Sequence, residues 1–352
     1  MAMKIKIGNK KCIGDGCPPF IIAEAGINHN GDIDIAKKMI EVAKECGADA
    51  IKFQTFKADE FIANPDETYT YYSQGKKVVE SMFEMFKRYE FPKKQWKEII
   101  AHCKSKNIVF LTTPQNASDL DLILGLTNLS IIKVGADDLT NLILLKYYAS
   151  KRIPMIISAG MAYASEIEDA VNTIRNVGND SIIVLHCVSS YPADAEEINL
   201  KKMGAIKDSF GVTIGFSDHS IGITASVGAV ASGATVIEKH FTLDKNLKGP
   251  DHWFSADPQE LKELVKSIRF IEKALGSPEL IPTTKETDMR KICRRSLVAV
   301  RNLKKGLRLT ETDIAYKRPG TGIAPKFAPY ILGRRLKTNI NKNNLILLEH
   351  LD

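Results

Sequence analysis

The chain has 352 residues, 44% of them apolar and 26% charged, with a net charge of +7 from 49 basic and 42 acidic side chains. That length can bury a large core and suits one big domain plus a small one. No apolar run is long enough to span a bilayer, and the opening MAMKIKIGNKK lacks the apolar core of a secretory signal, so a cytoplasmic protein with no membrane partner is expected.

Lys and Arg are spread through helical patterns beside Glu and Asp, as in DPQELKELVKSIRFIEKAL, instead of forming the single basic stripe of a nucleic-acid binder. The mild excess reads either as a solvated surface or as a bias toward anionic ligands. Six cysteines (Cys12, Cys17, Cys46, Cys103, Cys187 and Cys293) form no CxxC pair, which predicts reduced structural thiols and neither a zinc knuckle nor a disulfide framework.

Eight short β-branched runs follow one another down the chain. They are FIIAEAG (20–26), AIKFQTF (50–56), IVFLTTP (108–114), SIIKVGA (130–136), PMIISAG (154–160), SIIVLHCVS (181–189), TIGFSD (213–218) and VIEKHFT (236–242). Between them lie amphipathic stretches such as DIDIAKKMIEVAKECG and SEIEDAVNTIRNVG, with acidic or hydroxyl starts and Gly stops. Strict alternation of this kind predicts an α/β fold, a (β/α)8 TIM barrel over residues 1–276. No strand–GxGxxG–helix or Walker pattern supports a nucleotide-binding sheet.

Residues 57–94 are too many for a simple strand-to-helix loop and read either as a lid or subunit contact over the barrel mouth or as a helical insertion with no role. After Gly276 the periodicity breaks. Residues 277–288 read as a linker with two prolines and no apolar face, and 289–352 as a compact module with short β-like runs, SLVAV and NLILLEH.

Barrel chemistry occurs at the C-terminal ends of the strands. Glu24, Lys52, Gln54, Thr112, Thr113, Lys133, Ser158, His186, Ser189, Ser217, Asp218, His219, Lys239 and His240 all fall on or near those ends. Buried polar groups are costly, so their recurrence on every strand points to a ligand rather than to packing. Lysines among hydroxyls suit a phosphate dianion. His219 and His240 on adjacent strands, near Glu24, suit a divalent metal with open positions for water and a carbonyl oxygen. The residues alone therefore describe a metal-assisted enzyme acting on a phosphorylated small molecule.

The segments IIAEAGINHNGD (21–32), IKFQTF (51–56), GFSDHS (215–220), EKHFT (238–242) and KGPDH (248–252) resemble the signature segments of bacterial sialic acid synthases, and RPGTGIAP (318–325) resembles their C-terminal antifreeze-like SAF module. The resemblance covers essentially the whole chain. It implies condensation of phosphoenolpyruvate (PEP) with an N-acylated sugar such as N-acetylmannosamine, by a domain-swapped homodimer in which one tail caps the partner's barrel. It further implies that His219 and His240 bind manganese, with magnesium the alternative, and that Lys52, Thr113, Lys133, Ser158 and Ser217 contact PEP. Glu24, Gln54, Tyr191 and Asp251 correspond to groups around the sugar and the metal-bound water, and Arg318 to a tail arginine that reaches the N-acyl group. This chain has Ala136 where the family commonly has Ser, and Gln115 where an aromatic is more usual, while Asp138 keeps an acid near a position often held by Glu. Acceptors consistent with the resemblance are N-acetylmannosamine, its 6-phosphate and a 2,4-diacetamido-trideoxy sugar. The competing readings are a Schiff-base aldolase using Lys133 or Lys239 and a non-catalytic carbohydrate-binding protein.

Overall fold

Period-two patterning decides the architecture. The computed structural model describes residues 4–8 and 11–352, which fall into two units divided between Gly276 and Ser277. In the larger unit a hairpin of β1 (Lys4–Ile7) and β2 (Lys11–Gly14) precedes β3 (Phe20–Gly26) and β4 (Ala50–Thr55). A second hairpin, β5 (Thr68–Ser73) and β6 (Lys76–Ser81), interrupts the alternation. It is followed by β7 (Val109–Pro114), β8 (Ile132–Val134), β9 (Met155–Ser158), β10 (Ile182–Cys187), β11 (Thr213–Asp218) and β12 (Val236–His240).

The eight strands other than the hairpins form one parallel sheet in the order β7, β4, β3, β12, β11, β10, β9, β8. This is the expected barrel order, although among the described residues no ladder joins β7 to β8. Helices cover the outside. Asp32 caps Ile33–Glu45 by accepting from Asp34 N and Ile35 N, and Asp257 with Glu260 forms a capping box on Pro258–Leu275.

Two apolar layers follow from the alternation. Outward residues such as Ile21, Ala23, Ile51, Phe53, Ile157 and Ile214 pack under the helices. Inward ones (Ile22, Ala50, Leu111, Ile156, Leu185 and Val236) fill the lower barrel, where Ile5, Ile7 and Ile13 of the first hairpin join them as a plug. Gly215 stands in this layer because a Cβ there would meet Leu185 Cδ2 at 2.5 Å and Val236 O at 2.7 Å. Above the apolar layer the same inward rows turn polar.

Three expectations are corrected. Cys12 and Cys17 are joined by a disulfide, their Cα atoms 5.8 Å apart, because the chain turns after β2 with Cys17 N donating to Gly14 O; the other four cysteines are free. The 57–94 insertion is not purely helical. Gln74 and Gly75, both at positive φ, turn β5 into β6, between short helices Ala58–Phe61 and Met82–Tyr89. Residues 284–288 of the expected linker and 289–293 of the expected module form one helix, Thr284–Cys293, started by a Thr283–Glu286 capping box.

The smaller unit pairs β13 (Ser296–Ala299) antiparallel with β14 (Ile314–Lys317) around Leu297, Leu309, Ile331, Leu336 and Ile346. NLILLEH makes no strand there, only an isolated bridge at Leu345 and a short 3-10 turn, Leu348–His350.

Candidate active site

The upper, polar end of the barrel encloses a cavity of about 700 Å³. Its lining includes Glu24, Lys52, Gln54, Thr113, Lys133, Ser158, Tyr191, Ser217, His219, His240 and Asp251. Every barrel residue that the resemblance assigns to PEP, sugar or metal thus faces one space. Arg318 belongs to the other unit, where its Nε donates to Cys293 O at 3.0 Å.

Two buried lysines organise the floor. Lys52 Nζ donates to Thr113 Oγ1 at 3.0 Å and lies 2.9 Å from Glu24 Oε2 and 3.7 Å from Glu238 Oε2. Lys133 Nζ donates to Ser158 Oγ at 2.7 Å and to Val134 O at 2.9 Å, and stands 3.8 Å from Glu238 Oε1. Ser217 Oγ donates to Glu238 Oε1 at 3.0 Å.

The carboxylates differ because their neighbours do. Burial pushes Glu24 up to about 7, since the pull of Lys52 only partly offsets its desolvation. Burial acts on Glu238 too, but Lys133 and Lys52 on its two sides hold it below the usual range. Burial likewise opposes the charge on both lysines; Glu238 and Glu24 keep Lys52 above its ordinary value, whereas Lys133 is lowered.

The two histidines line the same cavity. Their rings are 5.6 Å apart, and Tyr191 packs 4.2 Å from the His219 ring. Burial depresses both, leaving neutral imidazoles. His219 Nδ1 donates to Val188 O at 2.7 Å, which fixes the tautomer and leaves the Nε2 lone pair 3.4 Å from Ser217 Oγ. His240 Nδ1 is buried without a hydrogen-bond partner. Two neutral ring nitrogens of this kind fit a divalent ion. Among the described residues no group of three or more His, Cys, Asp or Glu forms a closed ligand set, so the remaining positions would fall to water and substrate oxygens.

Alternation removes several other expected residues from the cavity. Because Glu238 and His240 point inward, Lys239 points outward, where it pairs with Asp218 at 3.2 Å among Ser220 and Ser226. Thr112 bonds Thr55 across β4 and β7 at 2.7 Å, and His186 donates to Ile198 O at 2.6 Å. Asp138 takes a hydrogen bond from Asn141 at 3.1 Å, and it is Asp137 that lines the cavity, beside Ala136. Gln115 lines the cavity and its Oε1 is unpartnered.

Sequence reasoning missed Glu238, Asp137 and Cys187. Glu238 was accessible, since a strand that turns His240 inward must turn the residue two earlier the same way. The apolar side of the mouth (Phe61, Tyr69, Met82, Met85 and Phe86) comes from the 57–94 insertion, at the barrel mouth where one of its two readings placed it.

Comparison with known proteins places the chain in a family. Residues 39–279 match the NeuB family and residues 294–352 the SAF domain. The chain is 40% identical over 356 residues to N,N'-diacetyllegionaminic acid synthase of Legionella pneumophila, covering 100% of both chains. It is 44% identical over 329 residues to the protein of that name from Campylobacter jejuni, covering 93% of this chain and 98% of that one. Among solved structures, the N-acetylneuraminic acid synthetase of Leptospira borgpetersenii, in complex with citrate, superposes with a TM-score of 0.74 at 38% identity, over 82% of this chain and 95% of that one. A cavity that gathers lysines, hydroxyls and a histidine pair at the mouth of an eight-stranded barrel, in a chain matched along its length by such synthases, has one family assignment: the protein belongs to the NeuB family.

Proposed function

We propose that the protein is a nonulosonic acid synthase that condenses PEP with the open-chain form of an N-acylated six-carbon sugar and releases inorganic phosphate. One observation carries this reading: Lys52 and Lys133, with Thr113, Ser158 and Ser217, line the same cavity as the His219–His240 pair. PEP brings a phosphate and a carboxylate, and two ammonium groups with three hydroxyls match those anions. Glu238 lies between the lysines and holds them at a fixed spacing before any ligand arrives.

A divalent ion, manganese or magnesium, held by His219 and His240 would polarise the aldehyde oxygen of the sugar. In the condensation, carbon three of PEP forms a bond to the aldehyde carbon, leaving carbon two electron-poor. Water adds there, and the C–O bond to phosphate then breaks with its electron pair, giving the 2-keto acid. Lys52 and Lys133 keep the phosphate oriented through both stages. Glu24, raised to about 7, is poised to take or return the proton of the added water near neutral pH. We assign Gln54, Tyr191 and Asp251 to the sugar. Arg318 is assigned to the N-acyl carbonyl in a dimer whose tails exchange between barrels, because a guanidinium offers several fixed donors.

The depressed Lys133 is the feature that would suit a Schiff-base aldolase. The deciding experiment combines two measurements with Mn²⁺ present. Phosphate release should require PEP and sugar together, and pyruvate with borohydride should leave the protein unmodified. Covalent trapping at Lys133 without phosphate release would reject the synthase reading.

A further inference from the structure

We infer that Asp218, which points away from the cavity, is a positioning residue for the metal site: its carboxylate bridges over His219 and presets that ring before an ion arrives. The inference rests on the histidine-pair metal reading above. Strand alternation supplies the geometry. Ser217 and His219 turn inward, so Asp218 between them turns outward, and the strand register sets it beside Lys239, which immediately precedes His240. Each histidine of the pair thus has a buried charge just before it that faces the other way. Those two charges meet at 3.2 Å, with side chains 0% and 1% exposed.

The ion pair occupies only part of the Asp218 carboxylate, and the rest holds the chain around His219. Asp218 Oδ1 accepts from Ser220 N at 2.9 Å and from Ser220 Oγ at 2.6 Å, closing an Asx turn across His219. Asp218 Oδ2 accepts from Ser226 Oγ at 2.6 Å, which anchors it to helix Thr224–Ala231. Lys239 Nζ donates to Ser220 O, so both main-chain groups of Ser220 are held. His219 itself is tied to the segment after β10: its O accepts from Ala193 N at 3.0 Å, and its Nδ1 donates to Val188 O at 2.7 Å.

The His240 ring is held differently. Its Nδ1 is buried with no partner, and the ring stands edge to face with Phe254 at 5.4 Å and Tyr191 at 5.9 Å. One jaw of the site is set by hydrogen bonds and the other by packing. A site with two protein ligands depends on rings already in place, since ordering them on binding costs affinity. An ion pair that only cemented β11 to β12 would need the Lys239 contact and nothing more. The bonds to Ser220 are what tie the carboxylate to His219.

The test is calorimetric titration of the chelator-treated full chain with Mn²⁺, well below the melting temperature. Asp218→Ala, which removes the turn, should raise the Kd for Mn²⁺ about ten- to a hundredfold. Asp218→Asn keeps an oxygen for Ser220 and gives up only the charge. It should melt lower than wild type, with Lys239 unpaired, yet hold Kd within about threefold. Stability and affinity then move separately, which a merely structural residue would not allow. The Asp218→Ala, Lys239→Met double variant repeats the measurement with no unpaired buried charge and should show the same rise in Kd. A wild-type Kd in either alanine variant, or a Kd in Asp218→Asn as weak as in Asp218→Ala, overturns the inference and leaves the metal reading standing. No Mn²⁺ binding by the wild-type protein overturns the metal reading, and this inference with it.

Discussion

Glu24 and Lys52 stand on neighbouring strands as a buried ion pair, 2.9 Å apart with side chains 2% and 4% exposed. A cation so placed is kept charged for a ligand, and its removal should be felt first by PEP. Lys52→Met should raise the KM for PEP about ten- to a hundredfold and that for the sugar far less, the loss of one charge-assisted contact in a dry site. Steady-state kinetics in both substrates checks it; an unchanged PEP dependence would place the phosphate elsewhere.

Metal binding by the histidine pair has a readout independent of turnover. Calorimetric titration of chelator-treated protein with Mn²⁺ should show one site per chain, abolished in the His219→Ala, His240→Ala double variant. Phosphate release should vanish on chelation and return with Mn²⁺. Retention of the calorimetric site by the double variant would move the metal to other residues.

Lys239 should behave as a structural residue. Lys239→Met leaves the Asp218 charge buried without its partner, at a cost of about 3–5 kcal/mol. Thermal unfolding should register that loss, while peptide mapping after pyruvate and borohydride treatment finds no adduct on Lys239 of the wild-type protein. An adduct there would contradict its outward placement.

This residue also marks how far the sequence could be read. The eight strands and their polar ends were legible because barrel strands repeat one pattern, and a cluster of inward polar groups on apolar strands is conspicuous. Orientation was legible as well, had period two been applied residue by residue: Ser217 and His219 inward require Asp218 outward, and Glu238 with His240 requires the same of Lys239. The hairpin within 57–94 was harder. Its strands are largely exposed, so no buried face imposes an alternating pattern, and its turn rests on Gln74 adopting positive φ, a conformation few sequences announce. The bond between Cys12 and Cys17 depends on a turn that spacing does not reveal.

Acid should weaken the fold through two buried imidazoles. Burial holds His29 down at about 3 and His252 at about 4, against an ordinary 6.5. Both are neutral when folded, whereas the unfolded chain takes up protons below pH 6.5. Their contribution is therefore complete above pH 6.5 and lost as pH falls toward 4 and 3, roughly 2–4 kcal/mol by pH 5. Melting temperatures between pH 6.5 and 5 should fall less steeply in a His29→Gln, His252→Gln double variant; parallel slopes would show that other groups govern acid unfolding.

Active-site sharing through Arg318 is tested by complementation. Arg318→Ala and Lys52→Met chains, each impaired alone, should regain activity when unfolded and refolded together, because a tail-exchanged heterodimer contains one site with both lesions and one with neither. If Arg318 serves its own subunit, every site keeps a lesion and the mixture stays impaired.

No ladder joins β7 to β8 among the described residues, and the proposed phosphate site is shared between those two strands. Thr113 lies on β7 and is bonded to Lys52 of β4; Lys133 lies on β8 and is bonded to Ser158 of β9. The two lysines of the proposed phosphate site thus belong to different strand pairs and are joined through one carboxylate, Glu238 of β12, so a dianion that binds there must take over both contacts at once.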